Sequence, residues 1–316
     1  MKELVVLSGK GGAGKTTVSA ALATHWAWRA VLVDADVDGA NLHLVLRPRA
    51  NRATRFMEGK LPRWVSDRCT GCGVCTQVCR FGAIEGGQVA RITCEGCGLC
   101  AQKCPQGALQ MVERHSGDWF VGRTPCGPLV HARLRPGEGN SGKLVALLKE
   151  EARGLAARSG LERILCDGPP GAACAATASL AGAAAVLTVA DPSSSGLHDL
   201  GRVLDLAQRF AVPAYTAVNR ADLAPELSDA VDEECRSQGV PVLAHIPFDP
   251  AVLHCVDRGV PVSAQPDAPA ARVLAKLAAA LDDLMGPSES HNGEARGSRR
   301  SASDRPLMAG APTEES

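Results

Sequence analysis

Residues 3–17 read ELVVLSGKGGAGKTT. A short apolar run, 4–7, is followed at once by four glycines and two lysines between positions 9 and 16. Such a run, bounded by a glycine-rich turn, suits a strand buried on both faces. The segment Gly9-Lys10-Gly11-Gly12-Ala13-Gly14-Lys15-Thr16 fits the pattern G-x-x-x-x-G-K-[ST]. Glycine is required there because the backbone must curl until successive N–H groups point inward at phosphate oxygens. In that geometry Lys15 reaches the outer phosphates and the Thr16 hydroxyl ligates Mg²⁺. Thr17 continues into a helix whose positive end adds to the site. The stretch therefore predicts binding of ATP with Mg²⁺.

The same rhythm continues outward. Thr17 to Trp28 reads as a helix, Ala30–Asp34 as a second strand, and 163–166, 186–190, 214–218 and Val242–Ile246 as further strands. Helical stretches lie between them, including 143–157 with Ser141 as its expected cap and a closing helix over 270–285. Strands alternating with helices predict an α/β fold with a doubly wound, mostly parallel sheet. From Arg47 the pattern turns basic and irregular. Beyond position 286 it is polar and rich in Ser, Gly and Pro, and is expected to be a disordered tail, 286–316.

Into this rhythm are set CTGCGVCTQVCR (69–80) and CEGCGLCAQKCP (94–105). Aligning 69–85 with 94–110 matches nine of seventeen positions, so the segment is a duplication with a period of 25. Each run is C-x₂-C-x₂-C-x₃-C. Three close thiolates hold three irons of a cubane, and the fourth cysteine lies too far along to close the same cluster. The expected assignment is crossed: Cys69, Cys72, Cys75 and Cys104 for one [4Fe–4S] cluster, Cys79, Cys94, Cys97 and Cys100 for the other. Cys104 is followed by Pro105, but Cys79 is followed by Arg80, which leaves its cluster more exposed or adds positive charge beside it. Zinc sites use longer loops between paired C-x-x-C knuckles. The organisation predicted is an ATPase domain of residues 1–60 and 115–285, interrupted by a ferredoxin-like insert at 61–114.

Composition narrows the setting. The chain has 316 residues and thirteen cysteines, and eight of these fall in the two runs. A disulfide-stapled secreted scaffold would be shorter and less apolar. Residues 1–3 lead straight into an apolar strand, so no leader is expected, and a reducing cytoplasm suits the thiols. Lys plus Arg equals Asp plus Glu at 34 each, which gives no reason to expect nucleic acid or an acidic membrane as partner. No apolar run is long enough to span a bilayer.

Lys10, a second lysine within the loop, gives the sequence a close resemblance to the deviant Walker A family of ATPases. That family includes MinD/ParA-type positioning ATPases, the nitrogenase iron protein and Mrp-type iron–sulfur carriers. The resemblance implies a homodimer sandwiching ATP, with Lys10 reaching the partner's nucleotide. It implies that Asp36 orients the attacking water or the waters of Mg²⁺, and that Asp167, ending the strand in ILCDGPPG, is the second Mg²⁺-site carboxylate. It also implies that the Gly171 N–H meets the γ-phosphate and that Asn219 faces adenine, unless Asn219 is only a turn residue. Asp38 and Asn41 either join the site or belong to an acidic loop without chemistry. With the cysteine insert, and with the stretches at 127–149 and 191–207, the chain resembles MinD-superfamily ATPases carrying a ferredoxin domain. Cys174 follows Asp167 by seven residues, the offset at which the nitrogenase iron protein holds its bridging cluster. That offset implies either a metal at the dimer face, with Cys126 a guess for its second ligand, or a structural cysteine. Cys166, Cys235 and Cys255 are read as core residues, and the isolated His131 and His198 are given no role.

Three functions compete. The first is an ATP-gated protein passing electrons through its clusters to a redox partner. The second is a carrier delivering clusters to an apo-metalloprotein, although carriers of the Mrp type use a C-terminal C-x-x-C that is missing here. The third, ranked last, is a MinD-type positioning ATPase, which needs an amphipathic membrane helix or a basic surface.

Overall fold

Leu4, Val5, Val6 and Leu7 are wholly buried because the strand that carries them is covered on both sides. Leu4 and Val6 join one core and Val5 and Leu7 the other, as the pleat of a strand dictates. At about 1.5–3 kcal/mol for each side chain removed from water, this strand is a principal anchor of the fold. The computed structural model describes residues 1–139 and 142–286; the expected cap at Ser141 and the tail beyond Gly286 lie outside them.

The strand β1 (Lys2–Ser8) leads through the glycine loop into α1 (Lys15–His25), followed by β2 (Ala30–Asp34) and α2 (Leu42–Leu46). A long strand, β3 (Arg49–Trp64), runs out to the cysteine segment, which contains α3 (Val74–Val78), β4 (Ile84–Glu85), β5 (Gln88–Val89) and α4 (Leu99–Lys103). The chain returns along β6 (Leu109–Thr124) and turns into β7 (Gly127–Leu134) and α5 (Lys143–Ser159). Strict alternation follows: β8 (Arg163–Pro170), α6 (Cys174–Leu180), β9 (Ala185–Ala190), α7 (Ser194–Arg209) and β10 (Ala214–Asn219). The described fold closes with α8 (Pro225–Ser237), β11 (Val242–Ile246), α9 (Pro250–Asp257) and α10 (Pro269–Met285).

The main sheet has the order β11-β10-β9-β1-β8-β2-β7-β6-β3. Every pairing from β11 to β7 is parallel, and the pairs β7–β6 and β6–β3 are antiparallel. One face is packed by α1 and α10 through Val18, Leu22, Leu274 and Leu277. The other is packed by α5, α6 and α7 through Leu144, Leu148, Ala176 and Val203. The expected α/β, mostly parallel architecture is therefore present, with an antiparallel extension at one edge. The central position of β1, between β8 and β9, puts the glycine loop at the carboxyl ends of the strands, where open α/β sheets bind ligands.

The extension is what the sequence did not announce. In RANRATRFMEGKLPRW the apolar residues are few and do not alternate cleanly, and Gly59 and Pro62 interrupt it, because much of the ribbon β3–β6 is only half covered. Residues 49–56 pair with 117–123 as part of the main sheet, and residues 60–64 pair with 109–113 beside the cysteines. Between these lengths the register shifts at Phe56, Met57 and Lys60, Gly59 takes φ +74°, and Ser116 Oγ donates to the Glu58 carbonyl at 2.9 Å. Met1–Gly286 form one compact unit, so the expected boundaries near 60 and 115 fall within continuous strands. The cysteine segment nevertheless has a small core of its own, built on Ile84, Cys100 and Leu109.

Candidate functional site

The glycine loop has the curl its composition demands. Gly12 and Gly14 have φ of 79° and 100°, and Gly14 caps α1. A Cβ on Gly14 would lie 2.2 Å from Asn219 Nδ2, and one on Gly9 would lie 2.4 Å from Asp199 Cβ, so the loop is gripped from both sides. Asn219 Nδ2 donates to the Ala13 carbonyl at 2.9 Å and Arg220 donates to Gly12 O at 2.5 Å. Gly11 lies open, and Thr17 follows Thr16 on the first turn of α1.

Beneath the loop lie a buried lysine and two carboxylates. Lys15, 5 % exposed, sits 3.7 Å from Asp36 Oδ2. Burial raises the Asp36 carboxyl above its usual range, with Lys15 opposing the shift. Asp167 is wholly buried; its Oδ2 accepts from Thr16 Oγ1 and its Oδ1 from Ser19 Oγ, both at 2.8 Å. Burial, reinforced by Asp34, pushes Asp167 up to about 7. A carboxylate this reluctant to ionise, one bond from the Thr16 hydroxyl, suits a place beside a divalent cation, whose charge would restore the ionised form. The structure thus brings Thr16, Asp36 and Asp167 together round Lys15. Gly171, φ +81°, donates its N–H to the Ser8 carbonyl at 2.8 Å, so meeting a γ-phosphate would require this bond to open.

Lys10 lies across the loop from these groups. Its Nζ is 2.8 Å from Asp191 Oδ2 and donates to Ser193 Oγ at 2.7 Å, within the same chain. Arg220 approaches the other Asp191 oxygen at 3.0 Å. Burial works to raise the Asp191 carboxyl, but the Lys10 hydrogen bond and the Arg220 charge outweigh it and hold it below its usual range.

The loop after Asp36 walls a polar cavity of about 440 Å³. Asp38, Asn41, His43 and His131 line it, and its far wall is the turn after β7 that ends at Glu138. His43 and His131 stack at 5.0 Å, with Phe120 on the other face of His131. Burial, with the charges of His43 and Arg133, lowers His131 to about 4, so its imidazole is neutral.

The eight cysteines of the two runs line two cavities. One cavity, about 200 Å³, is lined by Cys79, Cys94, Cys97 and Cys100. Another, about 30 Å³, is lined by Cys69, Cys72, Cys75 and Cys104. The thiols spread round these cavities: among the described residues, no three Cys, His, Asp or Glu side chains converge on one metal-ion position. The sequence repeat is a structural repeat as well. Gly73 and Gly98 cap α3 and α4 with φ of 71° and 78°, and the Ala83 and Ala108 N–H groups each donate at 3.3 Å to the Sγ of Cys79 and Cys104. The Ala108 bond, with other backbone N–H groups, holds the Cys104 thiol below its ordinary range, while burial pushes Cys100 up. Arg80 lies 4.7 Å over the Phe81 ring at the rim of the larger cavity.

Cys174 is exposed at the start of α6, whereas Cys126 is buried with its Sγ 3.8 Å from Thr24 Oγ1. Cys166, Cys235 and Cys255 are buried, as core residues should be. Sequence reading missed Ser19, Asp191, Arg220 and Glu138. Only Ser19 left a signal, its position three residues after Thr16 on the same face of α1.

The family model for the CobQ/CobB/MinD/ParA nucleotide binding domain matches residues 4–262. An uncharacterised protein of Methanocaldococcus jannaschii is 32% identical over 223 residues, 69% of this chain and 78% of that protein. The fold is similar to that of septum site-determining MinD of Pyrococcus horikoshii bound to Mg-ADP (TM-score 0.58, 19% identity, 90% of this chain and 97% of the other). It is also similar to that of Cyanothece McdA in an ATP complex (TM-score 0.55, 15% identity, 92% and 99%).

Proposed function

The chain belongs to the CobQ/CobB/MinD/ParA nucleotide-binding domain family, and on that footing we propose a dimeric, Mg²⁺-dependent ATPase that couples its nucleotide state to electron transfer through two [4Fe–4S] clusters. Nucleotide binding and ATPase activity come with the family; the iron–sulfur half is our reading of the cysteine segment. One observation carries it: the eight cysteines fall into two crossed sets, each lining its own cavity. Glycine-led turns and backbone N–H bonds to the Cys79 and Cys104 sulfurs recur at the two sites, which fits cluster ligation. Bound clusters would supply one-electron chemistry.

The residues beneath the loop supply the rest. Lys15 and the loop N–H groups neutralise the phosphates, Thr16 and Asp167 hold the cation through its coordination shell, and Asp36 orients water for attack. Lys10 exchanges Asp191 for the nucleotide of a second copy, and Gly171 releases Ser8 to meet the γ-phosphate. Each exchange is a small local change that a filled site rewards, which is how γ-phosphate-controlled loops switch.

The test is anaerobic purification, iron analysis and EPR of the reduced protein with and without MgATP. About eight irons per chain and a nucleotide-sensitive spectrum are expected. Iron-free protein that still hydrolyses ATP would sink the electron-transfer reading. Transfer of labelled iron to an apo-acceptor would favour the carrier reading instead. The MinD-type positioning reading, placed last on sequence, fits the family and the fold neighbours. Its own test is ATP-dependent recruitment to lipid vesicles or DNA. Among the described residues no helix is long and apolar enough to cross a membrane.

A further inference from the structure

The two cysteine sets are not equally connected to the nucleotide site. Glu138 closes the turn after β7, and its side chain is only 7 % exposed. Its Oε1 accepts from Arg114 Nε at 2.6 Å and from an Arg91 guanidinium nitrogen at 2.8 Å. Arg114, itself 11 % exposed, donates onward to the Cys94 carbonyl at 2.9 Å and toward the Arg91 carbonyl at 3.4 Å. Arg91 also donates to the His115 carbonyl, at the register break of the β3–β6 ribbon. Among the described residues, no hydrogen bond of Glu138, Arg91 or Arg114 reaches Cys69, Cys72, Cys75 or Cys104.

The Glu138 turn lines the 440 Å³ cavity together with Asp38 and Asn41 of the loop that follows Asp36. Asp36, at the root of that loop, sits 3.7 Å from Lys15. A loop that moves when the nucleotide site fills moves into or out of this space. That turn holds a buried carboxylate whose guanidinium partner Arg114 also donates to the Cys94 carbonyl. Charges so poorly exposed are weakly screened, so a change in the Glu138–Arg114 contact alters the field at Cys94 far more than a surface pair would.

We propose that Glu138 is a positioning residue that relays the state of the loop 36–41 to the Cys79/Cys94/Cys97/Cys100 site and not to the other. The inference rests on the iron–sulfur reading above and assigns its nucleotide sensitivity to one cluster of the two. Weakening the Glu138 contact leaves Arg91 and Arg114 uncompensated, and positive charge beside a cluster raises its reduction potential. The cluster held by Cys69, Cys72, Cys75 and Cys104 serves as the internal control.

The experiment is an EPR-monitored redox titration of anaerobically prepared protein, with and without MgATP. It compares the native chain, E138Q, E138D and C72S, the last marking which signal belongs to which site. In the native chain one midpoint is expected to move with MgATP, and it is the one C72S retains. In E138Q that midpoint starts higher and no longer responds; E138D recovers part of the response. Equal movement of both midpoints, or a full response in E138Q, overturns the proposal. Hydrogen exchange on the native protein is a second readout that needs no spectrum. MgATP should change protection over 91–100 and leave 69–75 unchanged, and the opposite pattern overturns the relay even if E138Q does not fold. Absence of iron defeats the cluster reading separately, with the exchange result still deciding whether the relay exists.

Discussion

Lys10 shows how a single side chain sets a threshold. Its pair with Asp191 is partly exposed, 30 % and 16 %, so it contributes at most about 1 kcal/mol. A phosphate with three anionic oxygens outcompetes that easily. K10A is therefore expected to bind MgATP within a few-fold of the native chain yet fail to form an ATP-dependent dimer, read by sedimentation with a non-hydrolysable analogue. K15A differs in kind, because Lys15 is buried against the site: hydrolysis should fall by about 10² or more, since preorganised charge on the phosphates is lost. His131 supplies a pH test. The unfolded chain takes up a proton near pH 6.5 and the folded chain only near pH 4. Stability from this group is therefore complete above pH 6.5 and drains away as pH falls toward 4. His43 from α2 and Arg133 from β7 bear on it, with the Phe120 ring of β6 against its other face. Denaturant titrations at pH 7 and pH 5 should differ by about 2 kcal/mol from this group, and H131F should flatten that difference.

At the scale of elements, the phosphate loop is held by its neighbours as much as by its own glycines. G14A would force a φ of 100° on alanine and drive its methyl into Asn219, so loss of nucleotide binding together with a lowered melting temperature is expected. Strands buried on both faces were legible because burial leaves an unbroken apolar run, as in β1, β2 and β9. The duplicated cysteine runs were legible because a short repeat is written locally. The β3–β6 ribbon was not, since a half-covered ribbon imposes no clean alternation on its sequence. The contacts of Asp191 with Lys10, and of Glu138 with Arg91 and Arg114, were invisible for another reason. They join segments brought together only by the strand order, and no residue spacing encodes them. The two cysteine sets should behave as separate elements. C72S is expected to lose about four irons and retain the other site, whereas a change in shared core, such as Leu109→Asp, should empty both.

On the scale of the molecule, the sheet is the common frame. Its parallel part places the glycine loop, Asp36 and Asp167 at one end of the strands, and its antiparallel edge carries the cysteines. β6 belongs to both, with residues 117–124 paired to β7 and 109–113 paired to β3 beside the cysteine segment. One backbone thus gears the two halves together. Excising a single residue from β6 between Glu113 and Gly117 would exchange inside for outside along the remainder of that strand, turning the thiols through half a revolution relative to the nucleotide. A chain built this way tolerates drift in its loops far better than any change of length in this one shaft.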